Sequence, residues 1–195
     1  MRTFLAVPSD PLWVDSARGL IERMRRQLPR ATWTKPESWH LTLLFLGEVH
    51  ADFVPRFREG VEAAAFETVP GEIQAEPPVL FPENRPPRVL GVGFAPSAGV
   101  ESLVRLAGAA REAAGRLGVK TEARPFHPHV TFARVRELWQ EAAVEEYRRE
   151  VEAWRFPVWH ARSCVLFESR LEREGAVHTP LHEWTFQGGP RGIRA

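Results

Sequence analysis

Two short segments of the chain share one pattern, and this pattern constrains the fold more than any other feature. The first reads W-H-L-T-L-L-F-L-G and the second reads R-P-F-H-P-H-V-T-F-A-R, with the histidines His40 and His129 lying 89 positions apart. In each, a threonine, Thr42 or Thr131, stands two positions after the histidine within an alternation of polar and apolar residues. Such alternation is typical of a half-buried β-strand, on which side chains two apart share a face. We therefore expect each histidine to lie beside its threonine on one strand face.

Two interpretations of this repeated H-x-T pattern are open. In one, both histidines are buried structural residues that the threonine hydroxyls cap. In the other, the pair is a duplicated catalytic device, because an imidazole beside a hydroxyl on one face is suited to handling an oxyanion. A single H-x-T arises by chance in many proteins, whereas two copies in two strand-like segments favour the catalytic interpretation.

The pattern of predicted elements repeats around the two histidine strands. A strand, a helix, the histidine strand and a second helix are predicted twice, and the two copies start near residues 2 and 88, which indicates an internal twofold duplication. The first helix begins with Asp10 as its N-cap and Pro11 at its first position, and the helix before the second histidine strand ends at Gly118. The second helix is predicted over 52–65 in the first copy and over 138–154 in the second, and residues 30–37 are predicted to be a loop. The predicted strands are 2–8, 40–47, 72–81, 88–94, the segment from 129, 158–171 and 176–186.

Composition limits the kind of protein this is. A chain of 195 residues suffices for one core or for two small lobes that share one, and no apolar segment approaches the roughly 20 residues that a membrane span needs. The N-terminal segment does not resemble a signal peptide, so we expect a cytoplasmic protein. Cys164 is the only cysteine, which excludes an internal disulfide and a thiolate cluster for zinc. A net charge of +1 provides no strong basic field for long nucleic acid.

The two segments resemble the motifs of the two-histidine (2H) phosphoesterases, and most closely those of the bacterial and archaeal RNA 2′,3′-cyclic phosphodiesterases, also called 2′-5′ RNA ligases (LigT-like proteins). The resemblance rests on H-L-T-L-L-F-L-G from His40 and on R-P-F-H-P-H-V-T-F-A-R from Arg124, together with L-F-E-S-R-L and E-G-A-V-H near the C-terminus. It spans nearly the whole chain. It implies an α+β fold of two pseudo-twofold-related lobes, each an antiparallel sheet flanked by helices, with a central cleft, and a single bilobal domain over residues 1–195.

The chemistry of the residues agrees with this resemblance. Hydrolysis of a cyclic phosphodiester requires a base that activates water and an acid that protonates the departing oxygen, and imidazole can serve as either near neutral pH. We expect His40 and His129 to be these catalytic groups, and Thr42 and Thr131 to bind the non-bridging phosphate oxygens. The residues do not indicate which histidine is the base. No cofactor is expected.

Three further residues have two interpretations each. By resemblance Arg134 contacts phosphate or ribose, although strand alternation from His129 would turn it off the catalytic face unless the strand bends; otherwise it is a surface charge. By resemblance Phe45 is a base-stacking aromatic; otherwise it is a core residue. His127 beside His129 could suggest a metal site, but no carboxylate or thiol pattern accompanies it, so no metal is expected. The histidines without a partner motif are expected to be structural or on the surface: His50, His160, His178 and His182.

The resulting hypothesis is a metal-independent phosphodiesterase that opens RNA 2′,3′-cyclic phosphate ends to 2′-phosphomonoesters, with weak reverse 2′-5′ ligation. The expected partners are RNA 3′ ends or oligonucleotides with a 2′,3′-cyclic phosphate; neither a membrane nor an obligate protein partner is expected. One alternative is a phosphodiesterase for another cyclic or 2′-5′ nucleotide. Another is a non-catalytic module that binds RNA ends or nucleotides, which a turnover assay would distinguish.

Overall fold

A computed structural model describes residues 1–83, 85–122, 126–172 and 175–189. The motif residues Arg124 and Pro125, part of the predicted E-R-E-G turn, and the C-terminal end of the tail lie outside the described residues. The helices of the described part are α1 Pro11–Gln27, α2 Phe53–Glu67, α3 Ala98–Arg116 and α4 Glu141–Ala153, with a 3₁₀ turn at Pro36–Ser38. Its strands are β1 Arg2–Pro8, β2 Thr32–Trp33, β3 His40–Glu48, β4 Gly71–Ile73, β5 Ala75–Phe81, β6 Val89–Phe94, β7 His129–Arg134, β8 Trp159–Ala161, β9 Ser163–Glu172 and β10 Gly175–Thr185.

Two four-stranded antiparallel sheets form the framework, and they confirm the predicted α+β class with two lobes. One sheet has the order β10-β9-β1-β3 and the other has the order β2-β7-β6-β5, so each contains one histidine strand. Helices flank both sheets: α3 contacts β3 and α2 contacts β10 in the first, while α4 contacts β5 in the second. Each sheet can therefore bury one face against helices and leave the other for the cleft.

The strand–helix–strand repeat is visible in the order β1-α1-β3 and β6-α3-β7, in which the two strands of each unit pair as antiparallel neighbours. The two halves of the chain nevertheless exchange strands. The short β2 joins the sheet of the second half through Thr32 and Arg134, and the C-terminal hairpin joins the sheet of the first half through β1 and β9. This topology is consistent with an internal duplication. The duplication and the single domain over residues 1–195 both remain hypotheses.

Several predicted boundaries differ from the observed ones. The predicted strand 72–81 is two strands in two sheets, because β4 pairs with β8 and β5 pairs with β6. The predicted strand 158–171 is divided in the same way into β8 and β9. The loop over 30–37 contains β2 and the 3₁₀ turn. Helix α4 starts at Glu141 rather than near residue 138, because Trp139 is buried in a non-helical segment and its indole donates to the Arg30 carbonyl at 3.3 Å.

The core between the lobes is aromatic, and Trp13 of α1 lies at its centre. Asp10 caps α1 by accepting a hydrogen bond from the Leu12 backbone N–H at 3.0 Å, which orients the apolar stripe of the helix inward. The Trp13 ring is fully buried, and it lies 6.0 Å from Phe132 in β7 and 6.2 Å from Trp39, the residue before β3. One helix side chain thereby contacts both segments that carry the histidines. No helix in the described part of the chain has the length and apolar character to cross a membrane.

Close packing between β6 and β7 requires a glycine at position 91, opposite Thr131. A Cβ at Gly91 would stand 2.2 Å from the Val130 carbonyl oxygen, and the Gly91 carbonyl accepts a 2.7 Å hydrogen bond from the buried Tyr147 hydroxyl. We predict that Gly91→Ala lowers the free energy of unfolding by about 3 kcal/mol or more, because backbone must move to admit the methyl group. Urea denaturation followed by circular dichroism measures the change.

Gly108→Ala is the matched control for this substitution. Gly108 is exposed on α3, and a methyl group added there would have no neighbouring atom within 4 Å. Alanine at this position should therefore raise stability by about 0.5–1 kcal/mol through helix propensity. Equal effects of the two substitutions would show that the β6–β7 contact is not the constraint described.

Candidate active site

The structure brings the two predicted catalytic histidines together. His40 is the first residue of β3 and His129 is the first residue of β7, and these two strands lie in contact across the interface between the sheets. The two imidazoles are close enough for the positive charge of one to lower the pKa of the other: His129 contributes to the lowered pKa of His40. Both side chains are partly buried, so each remains in part accessible to solvent.

The backbone holds both imidazoles in the same way. His40 Nδ1 lies 2.8 Å from the Ser38 carbonyl oxygen, and His129 Nδ1 lies 2.7 Å from the His127 carbonyl oxygen, which in each case belongs to the residue two positions earlier. A carbonyl oxygen only accepts, so Nδ1 must carry the hydrogen in both rings. Nε2 is then the nitrogen available for proton exchange: it accepts a proton when the ring is neutral and donates one when the ring is charged.

Burial keeps both histidines in the neutral form. It is the main reason that the pKa of His40 is lowered to about 4, and the charges of His178 and His129 lower this pKa further. The hydrogen bond to the Ser38 carbonyl raises the pKa, but by less than these effects lower it. Burial also lowers the pKa of His129, and the charges of His127 and Arg134 act in the same direction. Desolvation disfavours an imidazolium, so the site without ligand holds two uncharged bases near neutral pH.

Each histidine strand contains a β-bulge three residues after its histidine. In the β1–β3 ladder Leu5 pairs with Leu44 and Ala6 pairs with Thr42, which leaves Leu43 as an extra residue. The β6–β7 ladder has the same irregularity, where Phe132 is the extra residue between the partners of Leu90 and Gly91. The burial sequence is accordingly identical in both strands: two partly buried positions separated by a buried one, then two buried residues, then an exposed residue.

The bulge decides where the fifth residue after each histidine points. Strict alternation would place Arg134 on the face opposite His129 and Thr131, but one extra residue reverses the alternation and returns Arg134 to their face. The charge of Arg134 accordingly lowers the pKa of His129. In β3 the same shift places Phe45 on the face of His40 and Thr42, and the residue is 54% exposed. Phe45 is therefore not a core residue.

A cluster of rings surrounds His40 that the sequence pattern did not reveal. The His40 ring stacks on Phe4 of β1 at 4.7 Å between centroids and lies 5.3 Å from His178 of β10 at an interplanar angle of 90°. Phe167 of β9 stacks on Phe4 at 5.3 Å. His178 was expected to be structural or on the surface. The available signal was its place at the end of E-G-A-V-H, one of the segments that carry the family resemblance, but its approach to His40 depends on the order of strands in the sheet.

One hydroxyl group connects the two histidine strands directly. Thr34 Oγ1 lies 2.8 Å from the Thr131 carbonyl oxygen and 2.9 Å from the Phe132 carbonyl oxygen, to which it donates. The same oxygen accepts a hydrogen bond from the Trp39 indole Nε1–H at 2.8 Å. Because Trp39 precedes His40 and Thr131 follows His129 by two, this bridge fixes the spacing of the two H-x-T segments.

The remaining histidine of the second motif, His127, lies at the surface near Phe81. His127 is exposed, its backbone carbonyl is occupied by His129 Nδ1, and its ring lies 6.3 Å from Phe81. Among the residues that the structure describes, no group of three or more histidine, cysteine, aspartate or glutamate side chains is arranged to hold a metal ion. Cys164 is buried, which raises the pKa of its thiol and makes it a poor nucleophile.

Comparisons with known proteins agree with this geometry. The LigT like Phosphoesterase family matches residues 12–91 and 94–178. An RNA 2′,3′-cyclic phosphodiesterase of Archaeoglobus fulgidus is 31% identical over 93% of this chain and 98% of its own length. An RNA 2′,3′-cyclic phosphodiesterase of Geobacillus stearothermophilus is 30% identical over 97% of this chain, and the match covers 58% of the length of that relative. The crystal structure of TT0787 of Thermus thermophilus superposes with a TM-score of 0.78 at 25% identity, covering 96% of this chain and 99% of that one.

A fold of two antiparallel sheets that face each other through paired H-x-T strands defines a phosphoesterase of the two-histidine class. With matches over both halves of its length, the chain belongs to the LigT like Phosphoesterase family. The resemblance inferred from the two motifs is thereby confirmed, whereas the individual roles of the site residues remain predictions.

The lowered pKa of His40 predicts a loss of stability in acid. The unfolded chain binds a proton at His40 near pH 6.5 and the folded protein only near pH 4, so stability falls as the pH decreases through this interval, by up to about 3 kcal/mol from this residue. We predict that His40→Gln is less acid-sensitive than the wild type between pH 7 and pH 4. Urea denaturation at several pH values measures the difference.

The control is His50→Gln, the same substitution at an exposed position. Parallel curves for the wild type and His40→Gln would show that the folded protein binds a proton at His40 as readily as the unfolded chain does.

Proposed function

We propose that the protein hydrolyses 2′,3′-cyclic phosphate at an RNA end to a 2′-phosphomonoester, with His40 and His129 as the base and the acid. The observation that carries the proposal is the pair of matching imidazoles, each held through Nδ1 by the backbone so that Nε2 is available for proton exchange. The relatives named RNA 2′,3′-cyclic phosphodiesterase support the choice of substrate.

In the forward reaction, His40 Nε2 removes a proton from a water molecule as the water oxygen attacks phosphorus. The bond from phosphorus to the ribose 3′ oxygen breaks, and that oxygen takes a proton from His129 Nε2. The products are a 2′-phosphomonoester and a 3′-hydroxyl, so one water molecule is consumed and both protons are accounted for. Attack and departure occur on opposite sides of phosphorus, which suits two imidazoles on facing strands.

His40 is the better candidate for the base because its pKa is strongly lowered, to about 4, and the ring is neutral over most of the pH range. His129 must enter the reaction protonated, although its pKa is also lowered in the absence of ligand. An anionic phosphate diester beside His129 favours the imidazolium and raises that pKa. Substrate binding therefore prepares the acid, and the two groups titrate as a coupled pair.

The other predicted site residues have complementary tasks. Thr42 and Thr131 share a face with the histidines and supply hydroxyl donors for the non-bridging oxygens, where negative charge grows in the transition state. Arg134 adds a permanent cation for phosphate. Phe45 presents an exposed ring for a nucleobase, since any base can stack on an aromatic side chain.

Ligation, which is the reverse of cleaving a 2′-5′ bond to a cyclic end, uses the same groups in the same roles with a 5′-hydroxyl in place of water. His40 Nε2 takes the proton of that hydroxyl as its oxygen attacks phosphorus, the ribose 3′ oxygen departs with a proton from His129 Nε2, and the two ends are joined through a 2′-5′ bond. Water is in large excess, so ligation should be the weaker activity. Another cyclic or 2′-5′ nucleotide would fit the same chemistry, and a module that only binds RNA ends would not require two imidazoles with free Nε2 atoms.

We predict that His40→Ala and His129→Ala each reduce kcat/KM for a cyclic-ended oligonucleotide by roughly 10² to 10⁴-fold. The double variant should be little worse than either single variant, because one proton-transfer step requires both groups. Steady-state kinetics provide the measurement, and His50→Ala, at an exposed position, serves as the control. A single variant that retains wild-type turnover and folding would remove that histidine from the mechanism.

Removal of metal ions should leave activity intact, since proton transfer alone generates the nucleophile. After dialysis against a strong chelator, kcat/KM should be unchanged and bell-shaped in pH. Because both pKa values are lowered in the free protein, we expect its optimum below about pH 6.5, with the optimum of kcat higher once phosphate is bound. Activity that disappears with the chelator and returns with zinc or manganese would contradict the mechanism.

A further inference from the structure

His178 belongs to the surroundings of His40 although it lies on the opposite edge of the sheet. Strand β10 is the first and β3 the last in the order β10-β9-β1-β3, and His178 pairs with Ser169 of β9. Its ring nevertheless lies 5.3 Å from the His40 ring, and Phe4 of β1, one of the two intervening strands, contacts both: it stacks on His40 at 4.7 Å and meets His178 edge-on at 4.9 Å. A group that reacts with His40 is therefore within reach of His178 as well.

The two ring nitrogens of His178 have different surroundings. Nδ1 is buried and has no hydrogen-bond partner among the described residues, while the residue as a whole is partly exposed. A buried N–H without an acceptor loses its hydrogen bond to water, so the proton is better placed on Nε2, where solvent or a ligand can accept it. The ring then presents a neutral Nε2–H donor, and burial lowers the pKa of His178, which keeps the ring uncharged.

We propose that His178 is a further substrate-binding residue, which donates Nε2–H to a phosphate oxygen beside the position where His40 acts. This inference rests on the proposed function for the nature of the substrate. Phe4 and Phe167 hold the ring in place, at 4.9 Å and 6.3 Å between centroids, so the donor is oriented before the ligand arrives. Preorganised donors of this kind stabilise the charge that develops on phosphate oxygens.

A neutral donor suits this position better than a cation. When His40 has taken a proton from water it is positively charged, and a lysine or arginine at the 5.3 Å distance of His178 would oppose that charge. An uncharged imidazole binds the phosphate oxygen without this repulsion. The permanent cation of the site, Arg134, lies instead beside His129, where its charge acts on the other imidazole.

The alternative is that His178 only fills space against Phe4 and His40, and substitutions that separate shape from hydrogen bonding decide between the two. Phenylalanine keeps a planar ring and removes the donor, whereas glutamine removes the ring and restores an N–H at a similar reach. His182 lies on the same strand in contact with Trp184, at 4.5 Å between centroids, and His182→Phe is the matched control.

With a cyclic-ended oligonucleotide, His178→Phe should lower kcat/KM by about 10- to 100-fold, mainly through kcat. His178→Gln should recover at least half of that loss on a logarithmic scale, and His182→Phe should stay within twofold of the wild type. The proposal is overturned if His178→Phe is as active as the wild type, or if His178→Gln is no better than His178→Phe.

Two measurements remain decisive even if the wild type does not hydrolyse the oligonucleotide, an outcome that would refute the proposed function. Calorimetric titration with a nucleoside 2′-monophosphate should show binding weakened at least fivefold in His178→Phe and largely restored in His178→Gln; equal affinities overturn the proposal. Nitrogen-15 spectra of labelled histidine, assigned by the loss of one signal in His178→Phe, should show the proton of His178 on Nε2, and a proton on Nδ1 at neutral pH overturns it.

Discussion

The hydroxyl of Thr34 is the contact on which the geometry of the site depends. It donates to the backbone of β7 at Thr131 and Phe132 and accepts from the indole of Trp39, which directly precedes His40. The two H-x-T segments thereby acquire a fixed offset. Apolar contacts alone are non-directional and tolerate sliding, whereas hydrogen bonds at 2.8 to 2.9 Å fix a register.

The buried aromatic core packs against the residues that form this bridge. Trp13, fully buried, lies within about 6 Å of both Trp39 and Phe132, so a single side chain of α1 backs the starts of both histidine strands. Phe132 has two functions at once: it is the extra residue of the bulge in β7 and part of the core contact. The irregular backbone that turns Arg134 toward the site is thus held in place by packing on its buried side.

Local sequence patterns were sufficient for the elements that organise themselves over short distances. Alternation located β3 and β7, and the apolar stripe with its Asp10 cap located α1. The division of residues 72–81 between two sheets was not predictable in this way, because it depends on pairing with β8, far along the chain. The bulges at Leu43 and Phe132 have no signature in composition either. Their consequence is visible in the second strand, where the exposed Arg134 follows two apolar residues instead of alternating with them. The place of His178 beside His40 was missed for the same reason, since its neighbouring rings come from β9, β1 and β3.

The residues at the fifth position after each histidine, Phe45 and Arg134, make the two ends of the cleft different. The two half-sites match in the Nδ1 hydrogen bond, the threonine and the bulge, so by themselves they would accept a symmetric ligand in either of two orientations related by the pseudo-twofold axis. Phe45 and Arg134 occupy equivalent places with opposite chemistry, one an exposed aromatic ring and the other a cation. A nucleotide has one flat apolar end and one anionic end, and only one of its two orientations matches both residues. Under the proposed function, this pair of unlike side chains sets the direction in which a chain end enters, and hence the histidine that meets its departing oxygen.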